Sequence, residues 1–231
     1  MKFKKLKIDF MTDEQCFFCK SGRKLKEGFL IKNNLTGELL VSSRSCYEKN
    51  KSSFSNNDEI IPNLTRGILN SVSVPKNIGS DKSKKPGKSV ELSNIEYLIL
   101  RQEKLRDVSG IPFEGIDDIY NSYRENYVIS SLENNRLQRF IDKTKRSFPQ
   151  LAPSKLQRLY ATIFWMNYAI EKQPNEKSKN FMRSILKQYK TYRGLSIKQI
   201  EVIMGIIETL NSKIDNKRYH IPNVELLSNN E

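Results

Sequence analysis

The sequence predicts an α+β protein: a small N-terminal knuckle of the zinc-ribbon or treble-clef kind, followed by a mainly α-helical bundle. Three observations predict it. The only three cysteines among 231 residues bracket two short apolar runs. A Lys-, Gly-, Ser- and Pro-rich stretch follows, too polar to bury a core. Beyond residue 92, apolar residues recur at helical spacing almost to the end.

Met1–Phe10 alternates charged and apolar residues and lacks the apolar centre of a signal peptide. Residues 1–51 form the knuckle. Cys16 and Cys19 make one turn, and Gly28–Lys32 and Glu38–Ser42 read as strands around Asn33–Gly37, whose Asn and Gly tolerate positive φ. A short helix is expected to start near Ser43 or Ser45 and to carry Cys46. Residues 52–91 read as a basic loop or linker, with a short helix over Leu64–Asn70 and the stretch Pro75–Lys88. Residues 92–231 read as the bundle. Ser93 and Glu96 form a capping box ahead of Ile95, Leu98 and Ile99. Helices are expected over Asp117–Ser131 and over Glu133–Phe148, the latter stopped by Pro149. The helix after Pro153 is apolar on several sides, which makes it the central one. Glu176–Tyr192 follows, ended by Gly194, and Ser196 with Gln199 caps the last helix, which pairs antiparallel with its predecessor.

The charge narrows the function. Forty Lys and Arg against 26 Asp and Glu give a formal net charge of +14. Residues 1–90 contribute +9 of it, from 18 basic and 9 acidic residues. Such a balance points to a polyanionic partner, of which nucleic acid is the commonest. No segment joins a basic face to a compact apolar face as a membrane-surface helix would. No apolar run approaches the roughly 20 residues of a span, so no membrane partner is expected. Three cysteines cannot all pair, which suits a reducing cytoplasm.

The cysteines are the sharpest motif. Zinc sites pair two turns, each commonly supplying two ligands two residues apart. Cys16 and Cys19 are one such pair. The second is Ser43 with Cys46, a serine standing where a fourth cysteine belongs. Zinc on Cys16, Cys19 and Cys46 is therefore the candidate cofactor, with an incomplete ligand set. The alternative is a knuckle held without metal by Phe17, Phe18, Phe29, Ile31 and Leu40.

Candidate nucleic-acid contacts surround the knuckle: Lys20, Arg23, Lys24, Lys26, Arg44, Lys49 and Lys51, interleaved with Phe17, Phe18 and Tyr47. The basic loop adds Lys76, Lys82, Lys84, Lys85 and Lys88 as phosphate grips. Asn33, Asn34, Arg44 and Asn77 are the candidate base readers. Two helices carry cationic stripes: Arg136, Arg139, Lys143 and Arg146 on one, Lys179, Arg183, Lys187 and Lys190 on the other. Catalytic readings are poor. The sole histidine, His220, lies near the tail, the acidic pair Asp117 and Asp118 suits a helix start, and no phosphate-cradling glycine loop is present.

The Cys16-x2-Cys19 knuckle, the hairpin, the Ser43-x2-Cys46 turn opening a helix, and a basic helical half with Gly194-Leu-Ser-x-Lys-Gln199 together resemble the small large-subunit protein of type IV CRISPR effector complexes. Ser43 departs from a four-cysteine pattern. The resemblance implies a non-catalytic subunit of a plasmid-borne antiviral ribonucleoprotein. Such a subunit binds the 5′ handle of the guide RNA and sits beside other effector subunits that form a backbone filament. It reads the short flanking motif in double-stranded target DNA to start strand opening, and works with a separate DNA helicase. The rival reading is a phage or plasmid zinc-ribbon transcription regulator that binds DNA and docks RNA polymerase.

Overall fold

The computed structural model describes residues 2–11, 14–19, 24–55, 59–66, 93–108, 110–111, 113–214 and 220–221. Lys20, Arg23, Lys76, Asn77, Lys82, Lys84, Lys85 and Lys88 lie outside the described residues, as does the second half of the helix expected over Leu64–Asn70. The described start of that segment, Leu64–Arg66, is a turn.

The protein is α+β, with a three-stranded antiparallel sheet at the N-terminus and a mostly helical remainder. Strands β1 (Phe3–Phe10), β2 (Glu27–Asn33) and β3 (Leu39–Ser42) lie in that order. The hairpin expected from the sequence is β2–β3. Its turn closes through Gly37 N–H donating to Asn33 O at 2.8 Å, and Gly37 takes φ 76°, the left-handed conformation that favours glycine. Strand β1 is an addition to the sequence reading. It pairs with β2 from Phe3 opposite Asn33 to Phe10 opposite Glu27, with a bulge between Lys5 and Lys7.

The two faces of the sheet have different neighbours. On one face Phe3, Phe29 and Ile31 meet Tyr47 and Phe54 in a small core, with Ile8, Phe18 and Leu40 packed against it. Tyr47 comes from helix α1 (Arg44–Lys49), and its ring lies 4.8 Å from that of Phe29. Beyond the bulge, Lys7 and Asp9 turn the other way, toward the helices.

There they meet a π-helical turn, Leu100–Lys104, that continues helix α2 (Asn94–Ile99). Lys104 Nζ lies 2.6 Å from Asp9 Oδ2 and 3.1 Å from Glu103 Oε1, and Lys7 Nζ pairs with Glu103. The Tyr160 hydroxyl donates to Asp9 Oδ1 at 2.6 Å. Burial pushes the Lys7 ammonium below its ordinary pKa. Burial opposes the charge on Glu103 and Lys104 as well, but their partners outweigh it: the two lysines hold Glu103 low, and Asp9 with Glu103 holds Lys104 high. Two cations and two anions thus neutralise each other between sheet and helices.

Helix α5 (Pro153–Lys172) is the central helix, buried on most sides. Phe10 at the end of β1 stacks on its Phe164, with centroids 5.1 Å apart, so sheet and helices share one buried cluster. The remaining helices are α3 (Asp117–Asn126), α4 (Ser131–Ser147), α6 (Glu176–Tyr192) and α7 (Ile197–Ser212). Both expected capping boxes form, and Ser130 with Glu133 makes a third at the start of α4. The expected Asp117–Ser131 helix ends early, at Tyr127, whose φ of 58° breaks the helical path. The stop after α6 is Arg193 at φ 60° rather than Gly194. No helix among the described residues is long and apolar enough to cross a membrane.

Candidate metal centre and cationic faces

The two halves of the cysteine site are held by backbone already committed to the sheet. The turn carrying Cys16 and Cys19 is pinned to β3 by Phe17 N–H donating to Val41 O at 2.8 Å. Cys46 sits in the first turn of α1, which starts where β3 ends. The Sγ atoms of Cys16, Cys19 and Cys46 lie within 4.8 Å of one another. A tetrahedral zinc with Zn–S bonds near 2.3 Å sets sulfurs about 3.8 Å apart. The trio is therefore nearly in place.

Its electrostatics suit a soft cation. Burial alone pushes the Cys16 thiol up. The backbone N–H groups of Ser43, Cys19 and Phe18 and the Ser43 hydroxyl outweigh it and bring the pKa to about 6. The Ser43 N–H lies 3.3 Å from Cys16 Sγ. At Cys46 the Ser43 hydroxyl pulls the pKa down, but burial and the two neighbouring sulfurs push it up overall. Three thiols, one ionised near neutrality, are the donor set zinc prefers. Cys16, Cys19 and Cys46 would hold it.

The fourth corner is where the set is incomplete. Ser43 is the N-cap of α1 and its Oγ accepts from Cys46 N–H at 3.2 Å. A serine there caps the helix with its hydroxyl and donates its backbone N–H to Cys16 Sγ. His220 does come back to the knuckle, where Lys26 Nζ donates to its carbonyl. Its imidazole Nε2, however, lies 3.0 Å from Ile214 O, and it is not part of the sulfur cluster.

The candidate nucleic-acid residues separate into exposed and committed groups. Tyr47 is 4% exposed, its ring against Phe29 and Phe54 with the Lys5 ammonium 5.0 Å from its centroid, so it is a packing residue and not a stacking one. Phe18 packs against the same core, whereas Phe17 is exposed. Asn33 Oδ1 accepts from Leu35 N–H at 3.0 Å and so shapes the hairpin turn. Arg44, Lys49, Lys51, Lys24 and Asn34 are exposed, while Lys26 is half-buried, and burial lowers its pKa.

The two stripes, equivalent in sequence, differ in their surroundings. On α6, Lys179 and Arg183 meet Glu176 at 4.0 and 3.2 Å, and Lys190 pairs with Asp107 from the loop after the π turn. Lys187 lines a groove that also holds Asp107 and Glu171, so the signs there are mixed. On α4, Arg136 is held by Asp118 and by Gly115 O. Arg139, Lys143 and Arg146 are exposed and have no acidic partner among the described residues. They lie opposite the buried residues Leu137, Ile141 and Thr144.

Fold and site together define an α+β protein with an N-terminal sheet, a cysteine cluster and a helical remainder. No protein-family model, curated protein or solved structure matches the chain.

Proposed function

We propose that this chain is a non-catalytic nucleic-acid-binding subunit of a guide-RNA ribonucleoprotein, of the type IV CRISPR large-subunit kind. The observation that supports binding is the outer face of α4. Arg139, Lys143 and Arg146 are exposed there with no acidic partner among the described residues, in a chain of net charge +14. Unpaired guanidinium and ammonium groups one helical turn apart fit successive phosphates. The resemblance supplies the particular form: guide RNA and opened DNA strand against the helices, duplex DNA against the knuckle and residues 76–88, other effector subunits alongside, and a cytoplasmic setting. A zinc-ribbon transcription regulator is the alternative, favoured by the same knuckle.

The test is recovery of the tagged chain from its own cell, with sequencing of the bound nucleic acid and identification of the proteins that come with it. RNAs of uniform length sharing a 5′ sequence, bound with a multi-copy subunit, are the expected result. Promoter DNA with RNA polymerase would transfer the chain to the alternative, and no nucleic acid at all would overturn both.

A further inference from the structure

Phe113 is an exposed aromatic tied in place by its backbone and its ring. Its backbone is clamped from below by the amide of Gln102, which is 4% exposed: Gln102 Nε2 donates to Phe113 O at 2.9 Å and Phe113 N–H donates to Gln102 Oε1 at 3.3 Å. Its ring stacks on Phe140 of α4, with centroids 4.8 Å apart and planes at 26°. Beside both rings sits the buried Arg101 guanidinium, 5.2 Å from the Phe140 centroid and 5.9 Å from that of Phe113, bonded to Ile111 O and the Tyr97 hydroxyl. The edge of the Phe113 ring lies over Gly115, where a side-chain carbon would stand 2.3 Å from its Cε1 and crowd Cδ1 and Cζ at 3.0 and 3.2 Å. With the ring stacked on Phe140, near Arg101 and edged over Gly115, the residue is still 45% exposed.

Carboxylates of Glu114, Asp117 and Asp118 follow this ring in the chain, and Asp118 pairs with Arg136, but on its α4 side the ring adjoins a cationic row. Arg136 and Lys143 lie four residues before and three after Phe140 on α4, so both flank the stack. Arg136 also donates to Gly115 O, two residues from Phe113. Arg139 and Arg146 continue the face. A flat, pre-positioned aromatic beside a row of cations is the arrangement by which proteins hold single strands, the bases stacking while the phosphates follow the charge. A duplex cannot use it, because its bases are already stacked.

We propose that Phe113 is a stacking platform for an unpaired nucleobase of a single-stranded RNA or DNA whose backbone runs along Arg139, Lys143 and Arg146. The proposal deepens the nucleic-acid-binding reading and rests on it. Phe140 and Arg101 fix the plane of the platform, and Gly115 leaves room for it.

The experiment compares the full-length chain with Phe113→Ala, Phe113→Leu, Phe113→Trp and Gly115→Ala. Each is titrated with single-stranded RNA, single-stranded DNA and duplex DNA carrying 2-aminopurine, over a range of salt. Phe113→Ala and Phe113→Leu are expected to weaken single-strand binding about tenfold or more and to lose the 2-aminopurine quench. Duplex affinity and the salt slope should stay as in wild type, since no phosphate contact is removed. Phe113→Trp should retain binding, and Gly115→Ala, which keeps the phenyl but displaces it, should behave like Phe113→Ala. The single strand with the larger loss identifies which of RNA and DNA lies on this face. Wild-type single-strand affinity in Phe113→Ala, or equal losses on single strand and duplex, would overturn the platform and leave nucleic-acid binding standing. A wild-type chain that binds none of the three would overturn both.

Discussion

Replacing Asp9 by alanine is expected to cost about 3–5 kcal/mol, the range for breaking a buried ion pair by removing one partner. The Asp9 side chain is 6% exposed, and its carboxylate receives Lys104 at 2.6 Å and the Tyr160 hydroxyl at 2.6 Å. It also accepts from Phe10 N–H at 2.9 Å, and Lys7 stands 3.8 Å away. Without it the buried Lys7 and the partly buried Lys104 share the single carboxylate of Glu103, and the Tyr160 hydroxyl loses its acceptor. Asp9→Asn keeps the volume and an oxygen for Tyr160, so the difference between the two variants isolates the charge. Urea unfolding followed by circular dichroism measures both. A loss under about 1 kcal/mol for Asp9→Ala would mean that water takes over the lysines, and that the sheet and helices are joined by apolar contact alone.

The second large effect concerns the metal. Ser43→Cys is expected to raise zinc affinity on the order of a hundredfold or more. Structural zinc in small peptides is bound with roughly 10–16 kcal/mol shared among four ligands, and the substitution supplies the missing one. The position is favourable because Ser43 already stands at the helix N-cap, its N–H 3.3 Å from Cys16 Sγ and its Oγ accepting from Cys46 N–H at 3.2 Å. The loss of its cap to Cys46 N–H costs about 1 kcal/mol, small beside the gain. Competition titration with a chromophoric chelator reads the change. Unchanged affinity would show that the three sulfurs do not converge on a common ion. Wild-type chain is expected to carry one zinc or less.

Much of this architecture was legible because local rules govern it. The hairpin needed only Asn and Gly between two apolar runs, and the helix starts needed only Ser followed three residues later by Glu or Gln. The cysteine trio was legible from spacing. Strand β1 was not recognised, although Phe3–Phe10 alternates with the period of a strand. Its charged residues find their partners about a hundred residues further along the chain, Lys7 at Glu103 and Asp9 at Lys104. The π turn that presents those partners leaves no trace in hydrophobic periodicity. The stripes on α4 and α6 are alike as sequence, and only the fold brings Asp107 to Lys190 while leaving Arg139, Lys143 and Arg146 without such a neighbour among the described residues. Tyr47 shows the converse. Beside basic residues it read as a stacking group, but α1 turns it inward between Phe29 and Phe54. Phe113 gave no periodic signal because it sits in a loop, where side-chain direction is set by tertiary contacts such as the Gln102 clamp.

The central claim is that the cations on α4 bind phosphate. It is tested most directly by the salt dependence of single-stranded RNA and DNA binding for wild type and for a variant with Arg139, Lys143 and Arg146 all changed to alanine. Each phosphate contact on a single strand contributes about 0.7 to the slope of log affinity against log salt. The account predicts saturable wild-type binding at low salt, and a slope shallower by roughly 2 in the variant, regardless of sequence. Identical slopes for the two proteins, or no binding by the wild type at 50 mM salt, where phosphate contacts are strongest, would contradict it.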